Sequence, residues 1–154
     1  MTAQRSGPRP QTSNEGPHRQ LSAQSSPALW GTLVARAFAL PHVVESFSSV
    51  SPASSRALLF DDLREVLVPE TSLAPDGPLE PVHVHGVFDT SIHLCLPHDR
   101  AVEVCEAGWG EPHQFADFGT EIMVYGPQDA AELEITLGFI EESLAFAREA
   151  NSPR

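Results

Sequence analysis

The residues in this sequence best suited to chemistry are four histidines: His83, His85, His93 and His113. Histidine is the side chain most often recruited for metal binding and for proton transfer near neutral pH. His83 and His85 are two apart in an alternating apolar stretch, so on a strand they share one face. Val82 to Val87 and Ser91 to Leu96 read as a β-hairpin around Phe88-Asp89-Thr90. If the turn is centred on Asp89, residue 85 pairs with residue 93. His93 then joins the same face, with opposing β-carbons about 4.5–5.5 Å apart. Three imidazoles so placed could hold zinc, iron or copper, or could exchange hydrogen bonds with a bound substrate. They could also stand on a solvent face without a ligand. A register slip of one residue would move His93 to the other face.

His113 follows Gly108-Trp109-Gly110-Glu111-Pro112 and is close in sequence to Glu111 and Asp117. A carboxylate beside an imidazole fixes its tautomer and raises its basicity, which suits a general base. The alternative is a loop histidine above a helix cap, with Trp109 as the hydrophobic residue that accompanies a Schellman turn. His98 falls in the first turn of an expected helix, where a cation is unfavourable. His42 follows Pro41, and His18 lies in a polar N-terminal stretch. No role is assigned to these three.

The elements that must position these groups alternate along the chain. Ala28 to Leu40 is apolar nearly all round, with only Thr32 and Arg36 polar, so it is expected to be a helix buried on more than one side. Pro41 ends it. Val43 to Val50 and Arg56 to Phe60 read as strands, and Asp61 to Glu80 as a proline-punctuated loop with a short apolar stretch at Leu63–Val68. Pro97-His98-Asp99 opens a helix to about Ala107, and Gly108 falls at its left-handed cap. Glu121 to Tyr125 is a further strand. Gly126-Pro127-Gln128-Asp129 begins a long helix in which Leu133, Leu137, Ile140, Leu144 and Ala147 form one apolar stripe. The order gives an α+β fold: a mainly antiparallel sheet with helices packed on one face.

Residues 1–27 are rich in Gln, Ser, Pro and Arg, with Leu21 the one large aliphatic besides Met1. Such a segment cannot offset its ordering entropy by burial, so a disordered tail is expected, followed by one domain over residues 28–150. It lacks the apolar run of a secretory signal, and its prolines oppose a transit helix. The net charge is −12, and every basic residue is arginine. That balance repels phosphates and anionic lipid, which argues against nucleic-acid or membrane partners. No run is long enough to span a bilayer. Cys95 and Cys105 form no CxxC pair and are expected to be free thiols, in keeping with a cytoplasmic protein. No GxSxG, P-loop, HExxH or dinucleotide fingerprint occurs, which removes the usual support for hydrolase, NTPase and nicotinamide chemistry.

The block His83-Val84-His85, Ser91-Ile92-His93-Leu94-Cys95-Leu96-Pro97, Gly108-Trp109-Gly110-Glu111-Pro112-His113 and Val124-Tyr125-Gly126-Pro127-Gln128-Asp129 resembles the luciferase-domain family. The resemblance spans about residues 28–147 and is most specific from 83 to 129. Gly86-Val87-Phe88 replaces the family's proline-rich turn, and Gln128 stands where arginine is common. The resemblance implies ligand binding by His83, His85, His93 and Trp109, and catalysis by His113 and Glu111. It also implies oxygen-dependent oxidation of a small aromatic molecule without a dedicated cofactor. Three functional readings follow: a protein that binds or oxidises a small organic ligand at its histidine-bearing sheet, an acidic protein-interaction module, or a histidine-bound metal protein.

Overall fold

The computed structural model describes residues 2–113 and 119–153. Three helices and six strands follow one another as α1 (Pro27–Phe38), β1 (Val43–Phe47), β2 (Arg56–Phe60), β3 (Val82–Val84), β4 (Ile92–Cys95), α2 (His98–Glu106), β5 (Gly110–Pro112), β6 (Glu121–Val124) and α3 (Ala130–Asn151). The strands form a single sheet in the order β1-β2-β3-β4-β6-β5, and every neighbouring pair is antiparallel. The fold is α+β, as the partial segregation of strands and helices predicts.

Strand alternation sorts the side chains onto two faces. Leu58 and Phe60, Val82 and Val84, Ile92 and Leu94, and Ile122 and Val124 share one core with Trp30, Leu33 and Ala37 of α1, Val104 of α2, and Leu133, Leu137, Ile140, Leu144 and Ala147 of α3. The apolar stripe of α3 is therefore the one read from its spacing. The opposite face carries Ala57, His83, His93, Met123 and Glu111 in one row across five strands.

Local chemistry sets the ends of the elements. Ser26 caps α1 by accepting the Leu29 N–H, and Asp129 caps α3 by accepting the Glu132 N–H at 2.8 Å. Helix α2 ends in a Schellman motif, with Gly108 at φ +90°. The Gly108 N–H bonds the Cys105 carbonyl and the Trp109 N–H bonds that of Val104. The chain then turns directly into β5, a three-residue strand the sequence did not announce. Gly110 makes that strand possible, since a β-carbon there would stand 2.3 Å from the Met123 carbonyl oxygen. Leu63–Val68 forms no regular element, and a short 3₁₀ turn follows at Pro69–Thr71.

The segment expected as a disordered tail has no helix or strand before α1, in keeping with its composition, and one isolated bridge joins Thr12 to Gln20. It nevertheless lies against the domain, held by polar bonds. Arg9 donates to the carbonyls of Cys105 and Gly110, the Gln20 N–H to Asp89 Oδ1, and Ser25 Oγ to the Pro127 carbonyl. Composition measures the apolar surface a segment can bury, and these bonds bury almost none. Among the described residues, no helix is long and apolar enough to cross a membrane.

Candidate functional site

On the face away from the helices, five imidazoles gather. His83 on β3 pairs directly with His93 on β4, and the His85 N–H bonds the Ser91 carbonyl. The register is thus two residues from the sequence expectation, in which 85 faced 93. The cause is the turn: Asp89 and Thr90 both donate to the Gly86 carbonyl, closing a loop over residues 86–90. A shift of two preserves side-chain direction, so the three rings still share a face. Their centroids stand 5.4 Å (83–85), 5.0 Å (83–93) and 4.6 Å (85–93) apart, with the planes within 23° of parallel.

His18 and His113 complete the group edge-on. His18 is 5.4 Å from His93 and 5.5 Å from His113, and His93 is 5.7 Å from His113, between ring centroids. His18, His83 and His93 are each 3 % exposed, and His85 7 %. The five rings line a pocket of about 270 Å³, together with Glu121 and the apolar side chains of Pro17, Val50, Pro52 and Leu73.

Each buried ring is oriented by an acceptor behind it. Glu80 Oε2 lies 2.8 Å from His83 Nδ1, and Asp89 Oδ2 lies 2.6 Å from His85 Nδ1. Glu111 Oε2 lies 2.9 Å from His18 Nε2, and the His18 carbonyl lies 3.2 Å from His93 Nε2. Carboxylates and carbonyls only accept, so the facing nitrogen of each ring donates. In the neutral ring the other nitrogen then carries a lone pair. For His18 that atom, Nδ1, is buried with no hydrogen-bond partner.

Burial sets the proton affinities. It pushes His83 and His113 below the ordinary imidazole range, and His93 well below it, where the neighbouring histidines add repulsion. Burial also opposes ionisation of Glu80, Asp89 and Glu111. Hydrogen bonds outweigh it and hold all three below the usual carboxylate range: from His83, Ser48 and Ser49 to Glu80; from His85, Ser91 and Gln20 to Asp89; and from His18, Thr12 and Tyr125 to Glu111. Glu121 behaves oppositely. Burial, reinforced by Glu80 and opposed by His18, raises it to about 7.

The structure brings together His83, His85, His93 and His113. Glu111 sits behind His18, and the carboxylate at 3.9 Å from His113 Nδ1 belongs to Glu121. Asp117 lies outside the described residues. Trp109 does not join the pocket. It is 3 % exposed in the helix-side core, packs edge-on to Phe139, and donates its Nε1–H to the Ala3 carbonyl at 2.6 Å. That is the helix-cap role, and its ring is unavailable to a pocket ligand. His42 and His98 stand exposed beside Asp61 and Asp99. Both cysteines are free and buried.

Sequence reasoning missed His18, Glu80, Asp89 and Glu121 as site residues. Glu121 was within reach, because it precedes Met123 by two on a strand whose other face is apolar. His18 carries no such signal, since it comes from a segment without periodicity.

A family model described as the Luciferase domain matches residues 78–143. That stretch holds every pocket histidine except His18, and all four carboxylates described above. Luciferases of the fungi Armillaria gallica, Armillaria mellea and Armillaria ostoyae are each 33 % identical to this chain over 73 residues, covering 44 % of it and 27 % of the fungal protein. The chain thus spans about a quarter of the length of these curated relatives. No solved structure matches.

Proposed function

With residues 78–143 matching the luciferase-domain family, we propose that the histidine pocket binds a small hydroxylated aromatic or enolic molecule and takes its hydroxyl proton, preparing it for oxidation by molecular oxygen. The observation that carries this reading is Glu121, a pocket carboxylate raised to about 7 beside His113. A proton acceptor is most effective when its pKa lies near the working pH. Loss of the proton leaves a phenolate or enolate, the electron-rich form that oxygen attacks. Oxygen as the second substrate is motivated by the resemblance to luciferases, and light emission is no part of the proposal.

Glu121 and His113 form the proton-handling side of the pocket. His83, His85 and His93 supply nitrogen atoms that accept from ligand hydroxyls, and Leu73, Val50 and the two prolines cover the apolar edges. Glu111 acts through His18 as a positioning residue. The volume is just under the ~300–1,000 Å³ range of typical ligand pockets, which favours a one- or two-ring molecule. A concave, histidine-lined wall suits a small ligand better than it suits docking of a basic protein.

The test is calorimetric titration with a panel of phenols and enols, followed by oxygen uptake with each binder. Glu121→Gln is expected to retain binding within a few-fold, to lower oxygen consumption about 100-fold, and to remove the rise of rate through pH 7. A folded protein that binds none of the panel would sink the reading.

A further inference from the structure

We propose that His83 Nε2, His85 Nε2 and His93 Nδ1 form a three-imidazole site for one divalent first-row transition-metal ion, leaving a coordination position open to the pocket. This deepens the pocket reading above by giving the bound oxyanion a cation, but it does not depend on which organic molecule binds.

The first argument is orientation. Metal-ligating histidines characteristically donate their remote N–H to a carboxylate or a carbonyl, which fixes the tautomer and aims the lone pair. All three rings have that arrangement: Glu80 behind His83, Asp89 behind His85, and the His18 carbonyl behind His93. One ring nitrogen from each of the three lies within 4.8 Å of the other two. Nitrogens around a tetrahedral zinc at 2.0–2.1 Å stand about 3.4 Å apart, so the stacked rings turn toward one another to close on an ion.

The second argument is charge. Glu80 is fully buried and Asp89 nearly so, each turned onto an imidazole. Among the described residues, neither carboxylate forms an ion pair with arginine, and the chain has no lysine. Their ion-pair partners are His83 and His85 alone. Each of these carboxylates therefore faces an imidazole rather than a fixed cation. A divalent cation on the far side of the rings balances them at a distance of one imidazole.

The donor set selects the ion class. Three neutral imidazoles suit zinc, copper, iron and nickel, whereas calcium and magnesium prefer oxygen. Three protein ligands with one open position is the count of catalytic zinc sites. A second trio, His18, His93 and His113, also lies within 4.8 Å. We place the ion on the first trio because all three of its rings are buried and come from one β-hairpin. His18 and His113 then face the ligand bound at the open position.

The full-length chain, stripped with EDTA, is titrated with Zn²⁺ and separately with Co²⁺, and bound metal is counted by mass spectrometry. About one ion per chain is expected, with a visible absorption band for the cobalt form. His83→Ala, His85→Ala and His93→Ala should each abolish stoichiometric uptake, whereas His18→Ala and His113→Ala should change affinity less than about threefold. Because buried histidine variants can misfold, Glu80→Gln and Asp89→Asn provide the second measurement: affinity about 10–100-fold weaker in a chain whose circular dichroism is unchanged. Failure of the wild-type chain to take up either ion overturns the metal site and leaves the organic-ligand assay to decide the pocket reading separately. Full affinity in His83→Ala and His85→Ala moves the ion to the other trio and overturns the assignment equally.

Discussion

Leu94 and His93 are neighbours in the chain and point in opposite directions, each into a packed region of a different kind. Leu94 enters a core shared by three helices, where apolar contact holds the layers together. His93 enters a region of rings and carboxylates, where His83 and His85 are held by Glu80 and Asp89 a few residues away and His93 by the carbonyl of the distant His18. Packing on the first face is non-directional and tolerates exchange of like for like. On the second, direction matters at every atom. A sheet can therefore lend one face to stability and the other to chemistry, with a single strand serving both.

The largest effect expected from breaking that comparison is on the helix side. Leu94→Ala should cost about 2–5 kcal/mol in urea unfolding, since a fully buried leucine leaves a cavity. His93→Leu, one residue away, should stay within about 1.5 kcal/mol, as for a volume-conserving swap, while abolishing uptake of Zn²⁺. Comparable destabilisation by the two would mean the faces are not divided in this way. Next in size is Gly110→Ala, expected to cost about 1–3 kcal/mol by forcing β5 away from β6.

The pH dependence of the melting temperature between pH 7 and pH 5 sharpens the contrast, because the shifted histidines and Glu121 lie on the histidine face. His83, His93 and His113 have folded pKa values below their ordinary 6.5. The unfolded chain therefore binds more protons, and stability is lost as pH falls through 6.5. Glu121 acts in the opposite sense. Its folded pKa of about 7 lies above the ordinary 4.5, so its contribution is full below 4.5 and is lost as pH rises through 7. Glu121→Gln should thus steepen the loss of stability between pH 7 and pH 5, and a core variant should leave the slope unchanged. A slope unaffected by Glu121→Gln would contradict the raised carboxyl. The smallest effect is expected at the exposed Arg36–Glu134 pair, on neither face, where Arg36→Ala should leave the thermal midpoint within error.

The helix side was almost wholly legible in the sequence. The stripe from Leu133 to Ala147 and the alternation in β3 and β4 each encode a buried face directly, because burial is what selects those residues. Gly108 was legible as well, since its conformation excludes nearly every other residue. The hairpin offset was not, because register depends on how Gly86 shares its carbonyl within the turn, and residue types alone do not specify that. Trp109 shows the two routes diverging: the cap reading, made from local spacing, matches its place in the core, whereas the resemblance assigned it to a ligand. His18 was illegible for a physical reason. Its burial is supplied by the sheet it lies on, and its own segment carries no trace of that.

One wall of the pocket is thus a piece of chain outside the sheet, attached through side-chain and main-chain polar bonds. Substitutions along residues 2–26 can reshape the cavity without passing through the apolar core. Under the proposed function, selectivity for one molecule over another can then drift or be engineered at that wall, while the strands that carry the histidines stay as they are.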